Sequence, residues 1–218
     1  MDGSITDWNK FERLTPYRVR EVLLVASQFD RYILEESGYL AEILQEEYSI
    51  LNLSQAPRII HSPDSDDAID LLNSRRFDLI ITMSKAGKLD ANTFANMVKK
   101  IHENIPVVLL SQNTRELATL KTGEGIDRIF VWGGDSRILL SICKLIEDEK
   151  NVENDVRDGD VQVILLVEDS RRFYSAYLPL LYTQLVRQTS RLIGDCLLYT
   201  SDAADDMQCV DLGGRRII

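Results

Sequence analysis

The sequence predicts an α/β fold: a doubly wound five-stranded parallel sheet, followed by the first strand and helix of a second unit of the same kind. Three observations carry this. Short runs rich in Val, Ile and Leu alternate along the chain with longer segments of helical period, the order in which helices cover a sheet. Those runs are apolar at successive positions rather than alternate ones, as parallel strands covered on both faces are. The chain also repeats itself: the offset that lays Val25 on Val167 lays Leu23, Leu24 and Tyr32 on Leu165, Leu166 and Tyr174. A repeat so long marks tandem domains, since solenoid repeats run at roughly 20 to 50 residues.

Each element has its own signal. A polar helix is expected near Asp7 to Leu14, in an amino-terminal extension spanning 1–19. Val22 to Ala26 reads as a buried strand, and Ile33, Leu40, Ile43 and Leu44 form the stripe of the next helix. A second strand is expected at Arg58 to His61, and Pro63, Asp64 and Ser65 offer a helix start before Ala68, Ile69, Leu71 and Leu72. Asp78 to Met83 is the third strand, Leu89 to Ile101 a helix, Pro106 to Ser111 the fourth strand, Thr114 to Leu120 a short helix and Gly125 to Trp132 the fifth strand. A last helix starts near Asp135 and runs to about Lys150, closing a domain at 20–150. The charged stretch from Glu147 to Asp160 reads as a helix end and linker, the linker proper at 151–160. Val161 to Val167 then begins a second domain at 161–195, with Ser170 capping a helix through Tyr174, Leu178 and Leu185 that Pro179 should kink.

Composition narrows the class. The chain of 218 residues carries a net charge of −10, which disfavours nonspecific binding to nucleic acid or an anionic membrane surface. Met1 to Arg18 lacks a signal-peptide pattern, and no apolar run approaches the roughly 20 residues of a membrane span. A cytoplasmic location is therefore expected. His61 and His102 have no companion ligands at metal spacing and read as structural. Gly123, Gly125, Gly133 and Gly134 do not form a phosphate-cradling motif and read as turns. From Cys196 onward the sequence resembles a translated sequencing adapter, with Cys196 to Asp205 matching a transposase-type adapter and Val210 to Ile218 a flow-cell primer. The resemblance implies that 196–218 is not native and that the gene runs on past Asp195. Without that tail the chain stays acidic and keeps only Cys143 of its cysteines, too few for a disulfide framework or a cysteine metal site.

The segment Phe77 to Met83, with Gly87, Leu89, Asp90 and Phe94 after it, resembles the third strand and following loop of bacterial response-regulator receiver domains. The likeness continues in Pro106 to Ser111 and Gly125 to Trp132 and covers about Arg20 to Lys150. It implies the flavodoxin-like receiver fold. Departures fall on the positions that carry the family's chemistry. Where receivers keep an acidic pair this chain has Ala26 and Ser27; Met83 stands for the phosphoacceptor aspartate and Trp132 for the lysine, while Ser111 matches the switch serine or threonine. With no carboxylate at Met83 there is no nucleophile for an acyl phosphate, and without acids at 26 and 27 a Mg²⁺ ion lacks charged ligands. The domain reads as a pseudo-receiver, with Trp132 a candidate to fill the vacated space.

The second copy keeps what the first lacks, because its strand ends in Glu168 and Asp169. By the same resemblance these would ligate Mg²⁺ once the domain is complete, and a histidine kinase or phosphotransfer protein would be its partner. Ile138, Leu139, Leu140, Ile142, Leu145 and Ile146 make the 135–150 helix apolar over more than one stripe, which suggests core burial, packing on the second domain, or a homodimer contact. More narrowly, Asn52 to Arg58, Trp132 to Leu140 and Arg172 to Tyr182 resemble the tandem receiver-like region ahead of the catalytic part of bacterial proteins similar to phosphoenolpyruvate synthase and pyruvate phosphate dikinase. No catalytic residue of such an enzyme lies in this sequence. Two function classes follow: a phosphorelay signalling region, or a scaffold for a phosphoenolpyruvate or pyruvate phosphotransferase.

Overall fold

β1 (Glu21–Val25) is buried from Val22 onward because it lies between two parallel neighbours, β2 (Arg58–Ser62) and β3 (Leu79–Met83). β6 (Val107–Ser111) pairs with β3, and β7 (Arg128–Val131) closes the sheet on β6, giving the all-parallel order β2-β1-β3-β6-β7. The chain switches direction across the sheet between β1 and β3, the place where doubly wound folds open a crevice at the carboxyl ends of the strands. The computed structural model describes residues 14–34, 56–112, 125–159, 161–199 and 216–218, with a few positions between 42 and 49. The expected helices at Asp7 to Leu14 and Thr114 to Leu120 lie, but for Leu14, outside the described residues, as does most of the stripe after Ile33. Leu14 itself is not helical.

Capping side chains open the helices that cover the sheet. α1 (Gln28–Leu34) follows β1. α2 (Ser65–Ser74) is capped by Asp64, whose Oδ1 accepts from the N–H groups of Asp66 and Asp67 at 3.0 Å. α3 (Ala91–Ile101) is capped by Asp90 in the same way. Between β3 and α3 a feature absent from the sequence reading appears: β4 (Lys85–Ala86) and β5 (Leu89–Asp90) form a two-residue hairpin. Its turn starts at Gly87, whose φ of +70° is the left-handed value such hairpins require. Leu23, Val25, Ile80, Leu109 and Ile129 pack with Ala68, Leu72, Phe94 and Val98 into one core layer. At the amino ends of the strands, Asp78 Oδ2 accepts the N–H groups of Arg20 and Glu21 at 2.8 and 2.9 Å, which pins β1 beside β3.

α4 (Arg137–Gly159) is helical through Gly159, across the stretch 151–159. Its later turns bury Glu147, Asp148, Asn151 and Asp155, so a polar stripe occupies the place where periodicity analysis looks for apolar residues. On the same helix, Ile138, Leu139, Leu140, Ile142, Leu145 and Ile146 are each 3% exposed or less within the single chain.

β8 (Val163–Ile164) is shorter than the buried strand expected at Val161 to Val167 and, among the described residues, pairs in parallel with β9 (Arg216–Ile217). Leu165 and Val167 are 69% and 80% exposed, whereas their repeat counterparts Leu23 and Val25 are fully buried. Leu23 and Val25 are covered by Ala68, Leu72, Phe94 and Val98 of the helices packed on the sheet. α5 (Arg171–Tyr199) runs through Pro179 without ending. The chain forms two compact units, one of 19–143 with 168–179, the other of 1–18, 144–167 and 180–218. No described helix is long and apolar enough to cross a membrane.

Candidate functional site

The carboxyl ends of β1, β3, β6 and β7 bring Ala26, Ser27, Met83, Ser111 and Trp132 to one edge of the sheet, as the strand order requires. Ala26 is fully buried; its N–H donates to Ser62 O at 3.1 Å and its carbonyl accepts from His61 Nε2 at 2.8 Å. Ser27 has become a helix cap. Its Oγ accepts the Asp30 N–H at 3.1 Å and donates to Asp30 Oδ2 at 2.7 Å, a reciprocal pairing that satisfies the start of α1. Met83 is 3% exposed, and Thr82 Oγ1 donates to its carbonyl at 3.1 Å. Ser84 Oγ donates to the buried Ser111 Oγ at 3.4 Å, and Ser111 O accepts the Trp132 N–H at 2.8 Å. Trp132 is half-buried.

Among the described residues, the acidic side chains Asp30, Asp64, Asp90 and Asp135 near this edge are each committed to a helix start. Asp30, Asp64 and Asp90 serve α1, α2 and α3. Asp135 accepts from the Arg137 N–H at 3.0 Å and forms an ion pair with the Arg137 guanidinium at 2.7 Å. Partial burial raises the Asp135 carboxyl, and the hydrogen bonds and charge of Arg137 outweigh it, leaving the group below its ordinary value. Thr93 holds the Asp90 carboxyl low chiefly through a side-chain hydrogen bond of 2.6 Å. What remains at the strand ends is a floor of hydroxyls and a thioether. Mg²⁺ takes charged oxygen ligands in octahedral geometry, and Ala26, Ser27 and Met83 supply none. The residues do not fit the ion.

Sequence reasoning missed two members of this edge, His61 and Ser84. His61 was read as structural for want of companion ligands, and its bond to the Ala26 carbonyl arises only because β2 and β1 lie side by side. Ser84 carries no signal beyond following a strand. At the other candidate position, Glu168 is half-buried and Asp169 exposed. Glu168 Oε1 accepts the Ser170 N–H at 2.9 Å, and Ser170 begins α5 as expected, its carbonyl accepting from Tyr174 at 2.9 Å. Among the described residues no cluster of three or more His, Cys, Asp or Glu could hold a metal.

No family model and no curated protein matches the sequence. Solved structures do. The signal receiver domain of an HD domain-containing protein from Pseudomonas fluorescens is 21% identical over 64% of this chain and 94% of its own, with a TM-score of 0.46. A chemotaxis response regulator of Vibrio cholerae is 15% identical over 59% of this chain and 98% of its own, with a TM-score of 0.45. A response regulator of Thermotoga maritima, solved with Mg²⁺ and BeF, is 16% identical over 58% and 98%, with a TM-score of 0.44.

Proposed function

We propose that residues 20–150 are a pseudo-receiver, a non-phosphorylatable domain within a phosphorelay signalling region. One observation carries the reading: the strand ends that would bear the acidic pair and the phosphoacceptor hold Ala26, Ser27 and Met83, and Ser27 is already used to cap α1. A phosphoryl group arriving there would meet neither a nucleophile nor a cation. The resemblance of Phe77 to Met83 and of Pro106 to Ser111 to receiver strands supports the signalling context. On this reading Glu168 and Asp169 open a second, phosphorylatable receiver that binds Mg²⁺ when a third acidic strand end joins them, and a histidine kinase or phosphotransfer protein is its partner. The tail from Cys196 is then adapter-derived sequence.

The test is a titration of the full chain with Mg²⁺ and beryllofluoride, read by tryptophan fluorescence, since Trp132 stands one residue beyond β7. The spectrum should not change; a saturable shift abolished by Met83→Ala would overturn the pseudo-receiver. A scaffold role beside a phosphoenolpyruvate or pyruvate phosphotransferase is favoured by a different observation. Tyr174 and Ser175, at the start of the second repeat, pack on Phe130 and Val131 of the first sheet. The gene sequence beyond Asp195 separates the two, because signalling requires an aspartate ending the third strand of the second domain.

A further inference from the structure

The later half of α4 is held by an unusual surface. Its buried side carries Glu147, Asp148, Asn151 and Asp155, each 4% exposed or less, at the three- and four-residue spacing of one helical face. Apolar burial cannot hold such a face, so backbone and side-chain donors from elsewhere must satisfy it. Asn151 does this in both directions. Its Oδ1 accepts the Tyr17 N–H at 2.8 Å while its Nδ2 donates to the Tyr17 carbonyl at 2.8 Å and to Glu147 O at 2.7 Å. Two residues earlier along the strap, the Thr15 N–H donates to Asp155 Oδ1 at 2.9 Å. Asp148 Oδ2 accepts from Tyr182 OH at 2.8 Å and from the Ile217 N–H at 3.0 Å. Leu14 lies against Gly159, where an added Cβ would meet its Cδ2 at 2.5 Å. Thr15 holds a φ of +55°, a left-handed value that a β-branched residue adopts only when its surroundings enforce it.

From these contacts we infer that the 144–159 half of α4 is a main-chain-reading surface, and that residues 14–17 are its resident occupant, a latch that forms and releases together with this half of the helix. The recognition is of peptide groups rather than side chains: Asn151 reads both polar atoms of one residue, and Asp155 reads one N–H. Leu14 supplies the apolar contact and Gly159 the room for it. Release of the latch leaves the Asn151 amide and the Asp155 carboxylate without these donors, in the turns of the helix whose buried side is polar.

Amide hydrogen exchange on the full chain tests this with two variants that act differently. Asn151→Ala removes the clamp, and Gly159→Val fills the seat of Leu14 without touching a polar group. In both, the Tyr17 amide and those of 151–158 should lose protection together by at least tenfold, while Leu23, Ile80 and Leu109 keep theirs. Thr15→Gly, which relieves the left-handed strain, should raise protection of the same set. Tyr17 losing protection while 151–158 keep it in the Gly159→Val chain would overturn the latch. So would loss of the sheet amides at the same rate as those of 151–158, which would show that no separate unit exists.

Discussion

At Gly125 the backbone leaves no room for a side chain. Its φ is +83°, and an added Cβ would sit 2.8 Å from the Ala95 carbonyl carbon and the Asn96 nitrogen, both main-chain atoms in α3. Gly125→Ala should therefore cost about 1 to 3 kcal/mol, read as a lowered urea midpoint with an unchanged m-value. The sequence marked this glycine only as a turn, because its contact partner lies in another element. Asp90 falls inside the helix expected from Leu89, and the structure makes it the cap of α3, with Thr93 three residues on. Asp90→Ala should lose about 1 kcal/mol of cap energy. The folded carboxyl is held low by Thr93, so its contribution is complete above the unfolded value, about 3.9, and fades as pH falls through the lower folded one. The stability gap between parent and variant should thus shrink on acidification below about pH 4, measured by thermal unfolding across that range.

Among the elements, β7 shows how an exposed sheet edge is managed. Trp132 turns its N–H inward to Ser111 O, and Val131, the residue before it, turns its own outward to Ser175 Oγ at 2.9 Å. Ser175 Oγ also donates to Arg171 O at 2.7 Å, and Tyr174 lies 6.0 Å from Phe130 between ring centroids. α5 thus covers an edge whose N–H would otherwise be open to another chain. Removing the hydroxyl leaves a buried donor unpaired, so Ser175→Ala should cost about 1 to 3 kcal/mol, with Ser175→Thr keeping part of it; chemical denaturation of both variants measures the difference. The strands themselves were legible because a buried parallel strand is apolar at every position, as in Leu79–Met83 and Val107–Ser111. The last turns of α4 were not, because Glu147, Asp148, Asn151 and Asp155 look like a solvated face until their partners are seen.

For the whole molecule, the replaced strand ends predict a domain whose stability is independent of metal. Carboxylates crowded at neighbouring strand ends repel one another unless a cation joins them, and this chain has none there. Ala26→Asp, Ser27→Asp and Met83→Asp made together should lower the melting temperature in EDTA, since Met83 is almost fully buried. Mg²⁺ should then restore stability, by about 2.7 kcal/mol at a hundredfold excess over its Kd; identical melting with and without Mg²⁺ would count against the site. The sequence by itself determined the parallel sheet, the order of its strands and helices along the chain, the helix start at Asp64, the cap at Ser170, and the loss of acids at 26, 27 and 83. These are local facts, set by periodicity and by which residue ends a strand. Only the tertiary structure decided that Ser27 caps α1, that His61 reaches the Ala26 carbonyl, that α4 runs on to Gly159 under a strap from residues 14–17, and that Ser175 closes the β7 edge. Each of those depends on a partner distant in sequence or on a hydrogen bond whose direction composition does not encode.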